Sequence, residues 1–159
     1  MKHLKPIRCL IAVMLCVLAL TGCGKKETKE VTAAPADLAK QLAEETVTSD
    51  VLTEVSADIL ASTYFVDMEQ VEASSAYMST GASACETAVI KCKDSSYTSE
   101  VEKLLKNRVS NQTTLYSSYN AGETKKLDAA IIKTSGQYVV LCVCDDTSKA
   151  DSILTEAGF

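Results

Sequence analysis

The chain has no tryptophan, two phenylalanines, two prolines and a single histidine in 159 residues. The histidine is His3, inside a leading segment that reads as an export signal, so the processed protein has none. Histidine is the commonest general base near neutral pH and the commonest metal ligand. Its loss excludes Ser-His-Asp and Cys-His nucleophilic sites and any histidine-containing zinc site. Without tryptophan, and with only two phenylalanines, the composition offers no aromatic platform for stacking sugars. Positive charge is also short. Once the leader is removed, 13 Lys and Arg stand against 21 Asp and Glu, a net charge of about −8. Nucleic acid is therefore not an expected partner, since its recognition leans on a basic footprint. A Ser-Lys or paired-carboxylate enzyme is compatible with the composition, but no motif points to one, and the chain is not expected to be an enzyme.

Long apolar runs are missing as well. The longest, Cys9 to Leu20, has twelve residues, against about 20 needed to span a bilayer. Behind the basic Lys2, Lys5 and Arg8 it suits the hydrophobic region of a signal peptide. Leu20-Thr21-Gly22-Cys23 then gives a lipobox: an apolar residue, two small residues and the cysteine that is lipidated after cleavage. Two acyl chains such as palmitate on a thioether anchor stably where one chain is marginal. The expected organisation is a signal peptide over 1–22, a lipidated Cys23 with a flexible tether over 23–36, and one domain over 37–159. The expected place is the extracytoplasmic face of the cell membrane. Gly24 to Glu30 is charged and poor in large apolar groups, so it cannot fold alone. Residues 24–36 reach at most about 45 Å.

Within the domain, the spacing predicts a helix over 37–46 and a second over 49–62, with Val51, Leu52, Val55, Ile59 and Leu60 as its apolar stripe. A helical turn over 67–72 leads onward. Then a ββα pattern occurs twice. Strands are expected over 76–79 and 85–93 with a helix over 98–117, then strands over 127–134 and 137–144 with a helix over 148–157. Ser135-Gly136 between two β-branched runs is a hairpin signal. The predicted fold class is α+β: two ββα units forming a four-stranded antiparallel sheet with helices on one face, plus N-terminal helices.

The lipobox, Tyr64-Phe65-Val66-Asp67, the run Ser83 to Lys91, and Gly136 to Leu141 leading into Asp145-Asp146 together carry a resemblance. Over about residues 37–159 the chain resembles the small lipoproteins of low-GC Gram-positive gut bacteria that carry the domain of unknown function 4358. That resemblance implies the α+β fold and a surface location. It implies no activity, cofactor or catalytic residue, because the family has none established.

Cysteine is the remaining chemistry. Cys142 and Cys144, two apart on a strand, share a face, while Cys85 and Cys92, seven apart, take opposite faces. Cys92 occupies the position in the first repeat that Cys144 holds in the second. One reading builds a redox pair or a soft-metal thiolate site from Cys92, Cys142 and Cys144. The other treats these thiols as small buried hydrophobes within a Tyr, Val and Leu run; it is favoured, so no metal site or cofactor is assigned. Asp145, Asp146, Asp151 and Glu86 lack the calcium-loop spacing and read as a helix cap and solvated acids. Two other features are candidate recognition surfaces, the 117–123 segment and the six tyrosines, though the tyrosines read mainly as half-buried packing. The expected role is a lipid-anchored, non-enzymatic binding module whose partner is an envelope protein or cell-wall component.

Overall fold

The computed structural model describes residues 30–159. The expected signal peptide, Cys23 and most of the expected tether lie outside the described residues.

Tyr138–Val143 is buried at every position, an apolar run without alternation, so this strand must be covered on both sides. It becomes β5, at the heart of an antiparallel sheet ordered β1-β2-β3-β5-β4. The strands are β1 (Leu52–Glu54), β2 (Val71–Ser79), β3 (Glu86–Cys92), β4 (Ile131–Ser135) and β5. The two hairpins of the sequence repeat, β2-β3 and β4-β5, meet along β3 and β5, where Glu86 opposes Val143 and Lys91 opposes Tyr138. The Gly136 turn closes the second hairpin with a φ of 56°, which glycine adopts without steric cost.

Two helical layers enclose the sheet. On one face, α2 (Ala57–Tyr64), α3 (Thr98–Tyr119) and α4 (Thr124–Asp128) bury Leu60, Tyr64, Val101, Leu105 and Leu127 against Ala88, Ile90, Val139 and Leu141. On the other, α1 (Pro35–Glu45) and α5 (Thr147–Ala157) bury Leu38, Leu42, Ile153 and Leu154 against Val89, Val140, Cys142 and Cys144.

The α+β antiparallel architecture is therefore as the residues suggest, with three differences. The last helix packs on the face opposite α3, because β3 and β5 carry apolar side chains on both faces and one helical layer would leave half of them wet. The predicted helix over 49–62 divides. Residues 52–54 become a fifth strand on the edge of β2, with Leu52 opposite Ser79, and the helix begins only after Ser56, whose Oγ accepts the Ile59 N–H at 3.3 Å. The apolar spacing was helical by coincidence, since Val51 is 79 % exposed. Finally, Leu127 belongs to α4 and the strand starts at Ile131.

The sheet has two unlike ends. At one, Glu30 and Val31 lie beside Lys91, Gly136 and Tyr138, so the N-terminal segment arrives there. At the other, the α1–β1, β2–β3 and β5–α5 connections converge. Val47 bridges Asp146, and the Asp145 N–H donates to the Val47 carbonyl at 2.8 Å.

Candidate functional site

The converging connections are tied by one lysine. Lys126, on the short helix α4, is 12 % exposed and lies 2.9 Å from both Glu123 Oε2 and Asp145 Oδ1. Its ammonium also donates to Ser49 Oγ at 2.6 Å and Ser83 Oγ at 3.4 Å, with Cys85 Sγ at 3.9 Å. Glu123 accepts the Ser83 hydroxyl at 3.1 Å and the Ala84 N–H at 2.8 Å. The Cys85 thiol points to Asp145 Oδ2 at 3.7 Å. One cation thus holds residues from the α1–β1 connection, the β2–β3 turn, α4 and the end of β5.

Serine hydroxyls within reach of a lysine are the raw material of a Ser-Lys nucleophile, but the protonation here is wrong for it. Burial alone pushes the Lys126 ammonium towards losing its proton. Its hydrogen bonds to Glu123 and Asp145 outweigh that and raise its pKa above the ordinary lysine value. Burial likewise works against the charged forms of Glu123 and Asp145, and the Lys126 contacts override it, leaving both carboxyls below their usual range. Lys126 is therefore a donor and not a base. The N–H groups nearby are also engaged: Ala84 with Glu123, Cys85 with Ser83 Oγ at 3.2 Å, and Gly81 with Asp50 Oδ2 at 3.0 Å. The cluster is a junction that fixes loop positions.

A second ionic group lies one residue along the same turn. Glu86, whose side chain is 3 % exposed, accepts Arg108 Nε at 3.1 Å and Nη2 at 3.2 Å, and the Tyr64 hydroxyl at 3.0 Å. Burial, followed by the negative charge of Glu86, pushes the Tyr64 phenol well up, so it remains a hydrogen-bond donor.

All four cysteines in the described residues are free and buried. Cys142 and Cys144 do share the α1/α5 face. The neighbouring Cys144 sulfur raises Cys142, with burial adding to it, and Cys142 in turn lowers Cys144, whose thiol donates to the Asp146 carbonyl at 3.3 Å. Cys92 is not with them. It packs in the α2/α3/α4 layer, and its N–H donates to the Gln137 carbonyl at 2.8 Å, at the far end of β5. Positions equivalent by repeat fall at opposite ends when two strands run antiparallel, so the equivalence that suggested the trio is what separates it. Among the described residues, no group of three or more His, Cys, Asp or Glu is placed to hold a metal ion.

The acidic candidates also disperse. Asp145 pairs with Lys126, Asp146 caps α5 through the Ser148 N–H at 2.9 Å, Asp151 pairs with Lys133, and Glu86 with Arg108. The tyrosines form no single patch: Tyr64, Tyr116 and Tyr138 are buried, while Tyr119 is exposed. Of the 117–123 segment, Glu123 belongs to the junction. Sequence reading missed Lys126, Ser49, Ser83 and Arg108. The one signal available was Glu86, a carboxylate within an apolar strand, which demands a buried cation.

The family model described as Domain of unknown function (DUF4358) matches residues 45–144. That span runs from the end of α1 through β5 and includes the Glu86 group and every member of the Lys126 junction except Asp145. No curated protein matches the chain, and no solved structure does.

Proposed function

The chain belongs to the DUF4358 family, and on that premise we propose that it is a lipid-anchored, non-enzymatic binding module on the extracytoplasmic face of the cell membrane. Cys23 carries the lipid, and the partner is an envelope protein or cell-wall component. The observation that carries this reading is the polarity of the sheet. Residues 30 and 31, which lead from the tether, lie at the Lys91 and Tyr138 end, while the Lys126 junction fixes four segments at the other. Anchored through Cys23, the module presents rigidly held loops away from the bilayer. Both faces of the sheet are covered, so recognition falls to loops and outer helix surfaces. The test is metabolic labelling with an alkyne fatty acid in a Gram-positive host, followed by protease treatment of intact cells. Label incorporation that disappears in Cys23→Ser, with cleavage of the domain at the surface, supports the anchoring. An unlabelled, protease-protected chain overturns it.

The contact between Cys142 and Cys144 favours a second reading, a thiol-based redox or metal-handling lipoprotein, in which Cys92 stands apart. Anaerobic purification and native mass spectrometry before and after alkylation decide it. Added metal mass or rapid alkylation of the pair supports the thiol reading, and a bare, slowly alkylated chain supports the binding module.

A further inference from the structure

Phe65 is the residue that the packing does not account for. It ends α2 with φ 58° and ψ 32°, the left-handed position that glycine ordinarily occupies at a helix C-terminus. It is the only non-glycine residue with positive φ among those described. Its side chain is 77 % exposed, although Tyr64 and Val66 on either side are buried and fix the backbone between them. A strained conformation and a wet aromatic ring thus coincide at one position, and strain of this kind gathers at functional sites.

Beside the ring is a groove of about 300 Å³, lined by Thr63, Phe65, Leu104, Asn107, Arg108 and Asn111. Leu104, Arg108 and Asn111 recur at helical spacing along one face of α3. Among the described residues, the Thr63 hydroxyl and the Asn107 and Asn111 amides have no partner within the protein. Arg108 is different: its guanidinium is held from behind by the buried Glu86, so its orientation is set and its charge neutralised. The groove therefore offers a flat aromatic face, two free amides, a free hydroxyl and no net charge.

We propose that this groove binds a neutral sugar ring of an envelope glycan, stacked on Phe65 with its hydroxyls bonded by Thr63, Asn107 and Asn111. The electron-rich ring face suits the weakly positive C–H face of a pyranose. Each amide supplies both donors and an acceptor, as hydroxyls require. The volume lies at the small end of ligand pockets and accepts one or two rings. An anionic ligand is disfavoured because Glu86 already matches the one cation. Composition argued against an aromatic platform, yet one correctly placed phenylalanine is enough. The proposal deepens the binding reading above by naming the ligand class, and its test does not depend on the lipid.

With only two phenylalanines, para-fluorophenylalanine labelling of the detergent-solubilised full chain gives two fluorine resonances. Phe159, packed edge-on against Tyr138 in the other layer, serves as the internal reference. Chitotetraose, cellotetraose and maltotetraose are titrated in turn, followed by a proline-rich peptide. The expected result is a saturable shift of the Phe65 resonance alone with at least one oligosaccharide. Asn107→Ala or Asn111→Ala weakens the affinity about tenfold, the worth of one good hydrogen bond. Phe65→Gly, which removes that resonance, keeps the fold and gives no binding heat when the same sugar is titrated by isothermal calorimetry. No shift with any of the three sugars, a shift unaltered by both asparagine variants, or binding of the peptide in place of sugars overturns the proposal. The Cys23→Ser chain titrates like the parent, so failure here and failure of anchoring are separately visible.

Discussion

The β2–β3 turn sends neighbouring residues into two ionic clusters built on opposite plans. Glu86 meets one arginine, which grips it through two nitrogens while Tyr64 takes a further lone pair. Lys126 meets two carboxylates, two serines and a thiol. The side-chain chemistry explains the division. A guanidinium is a planar fork suited to a single carboxylate, whereas an ammonium is a point charge with three donors that can tie several loops at once. The arginine cluster holds one surface side chain in one orientation, and the lysine cluster holds several backbone segments together.

Glu86→Ala removes every acceptor from Arg108 and Tyr64. It is expected to cost about 3–5 kcal/mol, the range for orphaning one side of a buried pair, read as a lower urea midpoint. Lys126→Met is expected to cost less, about 2 kcal/mol, because Asp145 is part-exposed and water can rescue it.

The lysine cluster also responds to pH. Glu123 and Asp145 titrate below their ordinary values in the folded protein. Their contribution is therefore complete above the unfolded carboxyl range and is lost as pH falls through the folded values, below about pH 4. Lys126 is raised, so its contribution holds below the ordinary lysine pKa of about 10.4 and is lost only as pH climbs past the folded value. Thermal unfolding against pH should show the acid-side loss in the parent and a flatter acid limb in Lys126→Met. Equal slopes would mean that the carboxyls draw their shift from elsewhere.

How much of this was legible in sequence differs along the chain. The long helix and the Gly136 hairpin declared themselves through local periodicity and turn chemistry, which a few neighbouring residues decide. The division of 49–62 did not, because Leu52 pairs with Ser79 across 27 positions and no local pattern encodes that choice. Neither did the Lys126 junction, whose members come from positions 49, 83, 85, 123, 126 and 145. The side on which α5 packs was legible in principle: the unalternating run of β5 called for cover on both faces.

The cysteines give a smaller test of the same contrast between local and distant partners. Cys92→Ala and Cys142→Ala should each cost about 1–2 kcal/mol as small core truncations. Only the second removes the thiol that lowers Cys144. Raman spectra of the S–H stretch against pH should then show Cys144 titrating higher in Cys142→Ala and unchanged in Cys92→Ala. If both variants shift it, the pairing across the 142–144 step is not its cause.

The smallest effect has the opposite sign. Phe65→Gly replaces a strained left-handed residue with the one that pays nothing for that conformation, so stability should rise by about 0.5–1 kcal/mol. Phe65→Ala keeps the strain and should leave stability near the parent value. The ring that both variants remove is 77 % exposed, so little packing is lost in either. Calorimetric unfolding of the pair therefore isolates the backbone cost of holding this ring in place. A destabilised glycine variant would show that Phe65 packs against α3 as core, which would also remove the reason to look for a ligand above it.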